Sequence, residues 1–141
     1  GRALTDAQTE HLLSMFFPDV RLKRYIEIRP ADSMPREYAM GYAALIKAIF
    51  VTDAVPCLPD GLGEDDIARA KTELSEKGFE GSIYGMPVSA LIDNMLDKAE
   101  KALGADDKKH LAPLAAAARK GRSVYEDAAM KGIYNELSAG I

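Results

Sequence analysis

The sequence has little that could cross-link it, thread it through a membrane or hold it to nucleic acid. It contains one cysteine, Cys57, so no disulfide framework can form within the chain, and the expected compartment is a reducing one, the cytoplasm. Its two histidines, His11 and His110, have no second His, Cys or paired carboxylate at metal-ligand spacing. Both read as surface or packing residues on helices. No apolar run approaches the roughly 18–20 residues of a membrane span. The longest, Ala43 to Val51, is interrupted by Lys47. Eighteen Lys and Arg face 22 Asp and Glu, for a net charge of −4 and a pI near 5.2. That balance lacks the basic excess that nucleic acids and anionic membranes select. Internal repeats and low-complexity tracts are missing too.

What is present describes a folded domain. Of 141 residues, 48% are hydrophobic and 28% charged, which argues against disorder. A chain of this length removes roughly two-thirds of its unfolded surface on folding. Gly1-Arg2 leads straight into Thr5-Asp6 without an apolar leader. An initial glycine is common after tag cleavage, so Gly1 is set aside and the expectation is a fragment of a longer protein.

Helical spacing of apolar residues dominates. Thr5 to Phe17 predicts a short helix with Thr5 as N-cap and an apolar stripe of Leu12, Leu13 and Phe16, stopped by Pro18. Arg36 to Phe50 predicts a second, with Tyr38, Tyr42, Leu45, Ile46 and Ile49 at helical spacing and Ser33 as a candidate cap. The Pro- and Gly-bearing stretch Thr52 to Gly63 reads as loop or turns. Helices are then expected over Glu64 to Lys77 (Ile67, Ala70 and Leu74 inward, Gly78 as C-cap), Pro87 to Leu103 (ended by Gly104), Asp106 to Lys120 (kinked or shortened by Pro113) and Arg122 to Ser138.

Between the first two helices the period changes to two. Val20, Leu22, Ile26 and Ile28 alternate with Arg21, Lys23, Tyr25, Glu27 and Arg29. This pattern predicts one strand with a buried apolar face, bent or bulged near Lys23-Arg24 where Arg24 breaks the alternation, and ended by Pro30. The predicted fold class is therefore mainly α with a short β element (α+β). It forms a single domain in which residues 2–35 supply a helix and a charged strand, and residues 36–141 a helical region. A lone strand leaves its backbone groups unpaired. Its partner is expected in an unrecognised hairpin, in upstream sequence, or in a second copy that pairs with the exposed edge.

Two readings of the charged row stay open. Neighbours at i and i+2 on a strand face lie about 6–7 Å apart. Glu27 beside Arg29, with Arg21 and Lys23 in the row, suits a magnesium–nucleotide site: the carboxylate for the metal, the cations for phosphate or a substrate carboxylate. The plainer reading is a solvated face with weak exposed ion pairs. Elsewhere the plainer readings prevail. Ala118 to Arg122 is basic where a helix ends and complements its dipole. Asp60 to Asp66 lacks the ligand ladder of a calcium loop. Tyr38 and Tyr42 read as core-facing, and Cys57 as a small buried hydrophobe or an inert loop thiol.

The segment "FFPDVRLKRYIEIRPADSMP" resembles the signature of the plant and proteobacterial type of glutamate–cysteine ligase. There a histidine-bearing segment runs into Phe-Pro-x-Val-Arg-x-Lys-x-Tyr-[Leu/Ile]-Glu-x-Arg and then an aspartate. Here these are Phe17, Pro18, Val20, Arg21, Lys23, Tyr25, Ile26, Glu27, Arg29 and Asp32, with His11 upstream. The match covers about residues 11–35. It implies the C-terminal helical part of a glutamine-synthetase-like ligase fold, with the charged strand contributing to an active-site sheet. It implies ATP as co-substrate, Mg²⁺ as cofactor, and glutamate and cysteine as the small-molecule partners, joined as γ-glutamylcysteine in the first step of glutathione synthesis. By the same resemblance Glu27 is a metal ligand and Arg29 a catalytic contact to the transferred phosphoryl group, with Arg21 and Lys23 as further anion contacts. Similar enzymes are several times longer, so most of the site would lie upstream and this chain alone would be inactive. A non-enzymatic helical interaction module, and a carboxylate–amine ligase with another acceptor, are the alternatives.

Overall fold

Apolar residues spaced three or four apart make most of this chain helical, and in the computed structural model six α-helices accompany two short β-hairpins among the described residues. Residues 3–15, 20–22, 24–31, 33–52 and 58–133 are described. The contacts divide into two compact units, Gly1–Ser33 and Met34–Ile141.

The first unit begins with α1 (Asp6–Met15). Thr5 caps it as the sequence predicts. Its hydroxyl accepts from the Gln8 amide at 3.3 Å, and Gln8 Oε1 accepts from the Thr5 amide at 3.0 Å. This reciprocal pair satisfies two of the donors that a helix start leaves open. Leu12, expected inward, is exposed. The predicted single strand over Val20 to Arg29 is instead a hairpin, β1 (Val20–Leu22) against β2 (Ile26–Ile28), antiparallel, with Val20 opposite Ile28, Arg21 opposite Glu27 and Leu22 opposite Ile26. The strand thus supplies its own partner. Arg24 lies where the sequence breaks alternation, and Arg24-Tyr25 form a bend that reverses the chain. Leu22 and its partner Ile26 are four positions apart, an even separation that keeps the apolar positions opposed to one another and so conceals the reversal in a period-two reading.

In the second unit, α2 (Arg36–Val51), α4 (Val88–Ala102) and α5 (Ala105–Arg119) enclose the main core: Ala44 and Ala48 of α2, Leu96 and Ala99 of α4, Leu103, and Leu111 and Ala115 of α5. α2 and α5 run antiparallel. Tyr38 packs with Ala117, Gly41 with Leu114, and Lys47 Nζ binds Asp107 Oδ2 at 2.7 Å. Gly41 permits the approach. A Cβ there would lie 2.9 Å from Leu114 Cβ and 3.0 Å from the His110 carbonyl oxygen. α5 continues through Pro113, whose ring interrupts one backbone hydrogen bond without ending the helix. Gly104 begins α5 as its N-cap, while Leu103 closes α4. Pro35, not Ser33, is the N-cap of α2, and its carbonyl accepts from Tyr38 and Ala39 amides at 3.0 and 3.1 Å.

α3 (Glu64–Lys77) ends at Gly78, with φ 53°. A 3₁₀ turn over Gly78–Glu80 then leads into the second hairpin, β3 (Ser82–Ile83) and β4 (Met86–Pro87). Tyr84 and Gly85 turn it with φ 53° and 76°, the two positive angles of a type I′ turn. Because α3 packs on the 3₁₀ turn and β3, Ile67 and Leu74, predicted inward, are exposed, and Ala70 alone of that stripe is buried.

α6 (Val124–Met130) starts at Ser123, whose hydroxyl accepts from the Glu126 amide while Glu126 Oε2 accepts from the Ser123 amide at 2.8 Å. It buries Asp127. Tyr38 donates its hydroxyl to Asp127 Oδ2 at 2.6 Å, and Lys131 Nζ donates to the same oxygen at 2.8 Å and to the Tyr38 hydroxyl at 2.9 Å. The helix predicted to Ser138 meets Gly132, with φ 72°. Residues 134–141 lie outside the described residues.

Two outcomes follow from this packing. Overpacking costs about 1–3 kcal/mol, against about 1 kcal/mol of helix propensity gained by replacing glycine with alanine. Gly41→Ala should therefore lower the urea midpoint, and an unchanged or higher midpoint would show slack between α2 and α5. The second concerns pH. The Lys131 ammonium, and next the Tyr38 hydroxyl, hold the Asp127 carboxyl down from 3.8 to about 2. Its folded pKa is depressed, so its contribution to stability is complete above about pH 4 and is lost as pH falls toward about 2. Thermal melts across that window should show wild type and Asp127→Asn converging as the solution is acidified. Parallel curves would contradict the linkage.

Candidate functional site

The hairpin of the first unit carries the residues singled out by sequence. Glu27 sits in the middle of β2 and is half-buried, with its Oε2 oxygen shielded from solvent. Arg29 follows the strand directly and is also half-buried. Arg21 is the cross-strand partner of Glu27, a position whose Cα lies about 4.5–5.5 Å away in any antiparallel pair. Lys23, His11's motif neighbours Phe17 and Pro18, and Asp32 lie outside the described residues, as does Cys57.

The burial differs from the expectation in an informative way. Val20 and Ile26, predicted to face a core, are 52% and 56% exposed. Glu27 and Arg29, on the face that would be solvated under the plainer reading, are the better covered. Tyr25, expected to extend the row, lies in the bend and is exposed. A three-residue strand is too short to bury one face fully, so alternation here does not sort inside from outside.

Could these residues share a magnesium site? Among the described residues there is no group of three or more His, Cys, Asp or Glu side chains placed to hold a metal. Magnesium does not require one. It commonly takes one or two carboxylates and completes its shell with water and phosphate oxygens. A carboxylate with one shielded oxygen, opposite one arginine in register and two residues before another, fits one protein ligand of such a site with cations left for the phosphates.

The second unit carries different features. Between α3, the 3₁₀ turn, β3 and α4 lies an open cleft of about 460 Å³, lined by Leu58, Leu74, Phe79, Ile83, Leu91 and Met95 among others. Its described lining residues are apolar apart from Tyr84, and they include no carboxylate, histidine, lysine or arginine. Arg119, in the basic cluster that sequence assigned to the helix dipole, reaches across to α4. It donates to Glu100 Oε1 at 2.7 Å and Asp97 Oδ1 at 2.8 Å, with Asp93 at 3.8 Å. These carboxylates, Glu100 foremost, raise its pKa. The Tyr38–Asp127–Lys131 cluster escaped the sequence reading. Asp127 and Lys131 have i,i+4 spacing, a legible helix pair, but nothing local assigns them to Tyr38, 89 residues from Asp127. Burial and the Asp127 carboxylate raise the Tyr38 pKa, and the cluster's inward position suits it to holding α6 rather than to meeting a substrate.

Comparison with protein-family models, with curated proteins and with solved structures found no match to this chain. No helix among the described residues is long and apolar enough to cross a membrane.

Proposed function

We propose that this chain is part of an ATP-dependent ligase that joins the γ-carboxyl group of glutamate to the amino group of cysteine. One observation carries the reading: the long charged motif around Glu27 coincides with a hairpin on which Glu27 and Arg29 are half-buried, as covered as Ile28 between them, while Val20 and Ile26 are exposed. A merely solvated face would leave Glu27 and Arg29 exposed.

In the proposed reaction a glutamate γ-carboxylate oxygen attacks the terminal phosphorus of ATP, releasing ADP and leaving an acyl phosphate. The cysteine nitrogen then attacks the acyl carbon. A C–N bond forms, the C–O bond to phosphate breaks, and the amine loses a proton. Charge accumulates on phosphoryl oxygens throughout, so catalysis rests on positioning and charge neutralisation. Arg29 holds the transferred phosphoryl group and Arg21 and Lys23 bear on the remaining anionic oxygens. Glu27 would hold Mg²⁺, which when bound would supply positive charge against the phosphoryl oxygens. A guanidinium is suited to this because its planar donors match two oxygens at once. The remaining carboxylates and the glutamate pocket are assigned to upstream sequence. The exposed Val20 and Ile26 favour a second reading, in which the hairpin recruits a partner strand and no substrate binds. Under it, upstream sequence need contain no acidic strands.

In the full-length protein, Glu27→Gln should reduce Mg-ATP-dependent γ-glutamylcysteine formation by at least about 100-fold, with the circular dichroism spectrum unchanged. Retained activity would remove Glu27 from the metal site. The chain of 141 residues by itself should form no γ-glutamylcysteine with Mg-ATP, glutamate and cysteine, and robust turnover would defeat the assignment of the remaining site to upstream sequence.

A further inference from the structure

We infer that α6 is a clasp that opens independently of the helical core and whose closure depends on the positive charge of Lys131. Three features of the second unit combine to give this. First, α6 has seven residues, well below the roughly 12–15 at which an isolated helix is even marginal. Its helicity therefore depends on being docked. Second, docking is local. Ala128 of α6, together with Val124 and Ile133, covers Tyr38 and Ala117, and this small cluster is separate from the one built by α2, α4 and α5, with half-buried Leu114 touching both. Removing α6 leaves the Leu96, Leu103 and Leu111 core intact. Third, the docked state buries a carboxylate. The Asp127 side chain is 6% exposed and Lys131 is 45% exposed, so one half of the ion pair lies inside and the other half at the surface.

Lys131 lies just beyond α6 and holds several groups together. Its ammonium is 2.8 Å from Asp127 Oδ2, 2.9 Å from the Tyr38 hydroxyl, 3.7 Å from Glu37 Oε1 and 5.1 Å from the centre of the Tyr38 ring. Without that charge Asp127 keeps the Tyr38 hydroxyl, while the Arg122 guanidinium, at 3.7 Å from Oδ1, is beyond hydrogen-bond distance. The carboxylate then keeps only the longer ion pair with Arg122, and a buried carboxylate that loses its nearest counter-charge is less stable where it lies. Undocking α6 relieves this by returning Asp127 to water, at the expense of the contacts that Ala128, Val124 and Ile133 make in the small cluster. Opening uncovers Tyr38 and Met34, the beginning of α2 and the first residues of the second unit after the hairpin segment in sequence.

Hydrogen exchange followed by mass spectrometry on the whole chain tests this, using wild type, Lys131→Gln and Lys131→Arg. The expected result for Lys131→Gln is exchange in residues 123–133 about tenfold faster or more, the scale of one lost charge-assisted hydrogen bond, with α4 and α5 as protected as in wild type. Lys131→Arg, which keeps the charge, should retain most of the α6 protection. Unchanged α6 exchange in Lys131→Gln would overturn the inference. So would loss of protection in α4 and α5 together with α6, because the clasp would then not be separable. Equal loss in Lys131→Arg would overturn it as well, since closure would then depend on the shape of the lysine and not its charge.

Discussion

The close approach of α2 and α5 is the constraint on which the second unit depends. Two helices that carry large side chains at their contact sit further apart than two that meet through Gly and Ala. Here Gly41, Ala44 and Ala48 line α2, and Ala115 and Ala117 are buried on α5. The gain is a dense interface. The loss is volume, so the bulky members of the core, Leu96, Leu103 and Leu111, come from α4, from its C-cap and from the α5 side facing it. The tight seam also fixes the register between the helices. Lys47 meets Asp107 at one end and Tyr38 meets Ala117 at the other. Tyr38 is thereby carried to a point where its hydroxyl must find a buried acceptor, and α6 supplies one in Asp127. A buried phenol without a partner would oppose folding, so the polar cluster is a consequence of the seam as much as an addition to it.

The helices were legible because burial on one side imposes a period near 3.6 that survives in composition. Glu64 to Lys77 appears with the predicted ends, and the wide stripe of α4 places Val88, Leu91, Leu96 and Ala99 inside. Where the reading failed, a short element or a distant partner was responsible. Alternation over Val20 to Arg29 cannot distinguish one long strand from two short antiparallel ones, and the clue, Arg24 in an apolar slot, also suits a bulge. The second hairpin was missed because each strand has two residues and its left-handed turn begins with Tyr84, where asparagine, aspartate or glycine would have announced it. The spacing of Ile67, Ala70 and Leu74 predicts a face turned to a core, yet α3 packs on a turn and a strand, leaving that stripe partly bare. Amphipathicity records that a face is apolar; what it meets is tertiary information.

The candidate site divides in the same way. Residue types and spacing were legible: a carboxylate two residues before an arginine, with more cations upstream. Their placement was not. Period two put Arg21, Glu27 and Arg29 in one row along a strand, whereas the hairpin sets Arg21 opposite Glu27. The charged positions remain neighbours by a different route, across the ladder rather than along it. Burial does not follow the alternation: Glu27, Ile28 and Arg29 are half-buried while Val20, Tyr25 and Ile26 are exposed, because a ribbon of two three-residue strands has no layer of its own to hide one face beneath.

The distribution of charge between the two units bears on where chemistry can reside. In the helical unit the buried carboxylate Asp127 is engaged by Tyr38 and Lys131, Arg119 is engaged by a row of α4 carboxylates, and Lys47 by Asp107. Such groups are held by partners that a substrate would have to displace, and each displacement would leave a charge uncompensated. The cleft beside α3 has the opposite character, its described lining being apolar apart from Tyr84 and without a charged side chain that could neutralise a phosphate. Neither arrangement suits a reaction in which negative charge builds on phosphoryl oxygens, which requires fixed cations together with an acid that can share a metal. Glu27, with Arg21 opposite and Arg29 two residues on, has that composition in a setting where one carboxylate oxygen is already withdrawn from water. Withdrawal from water strengthens its interaction with any cation placed beside it. Under the proposed function, the α2, α4 and α5 core serves packing, and the small hairpin supplies the charges that the reaction would need.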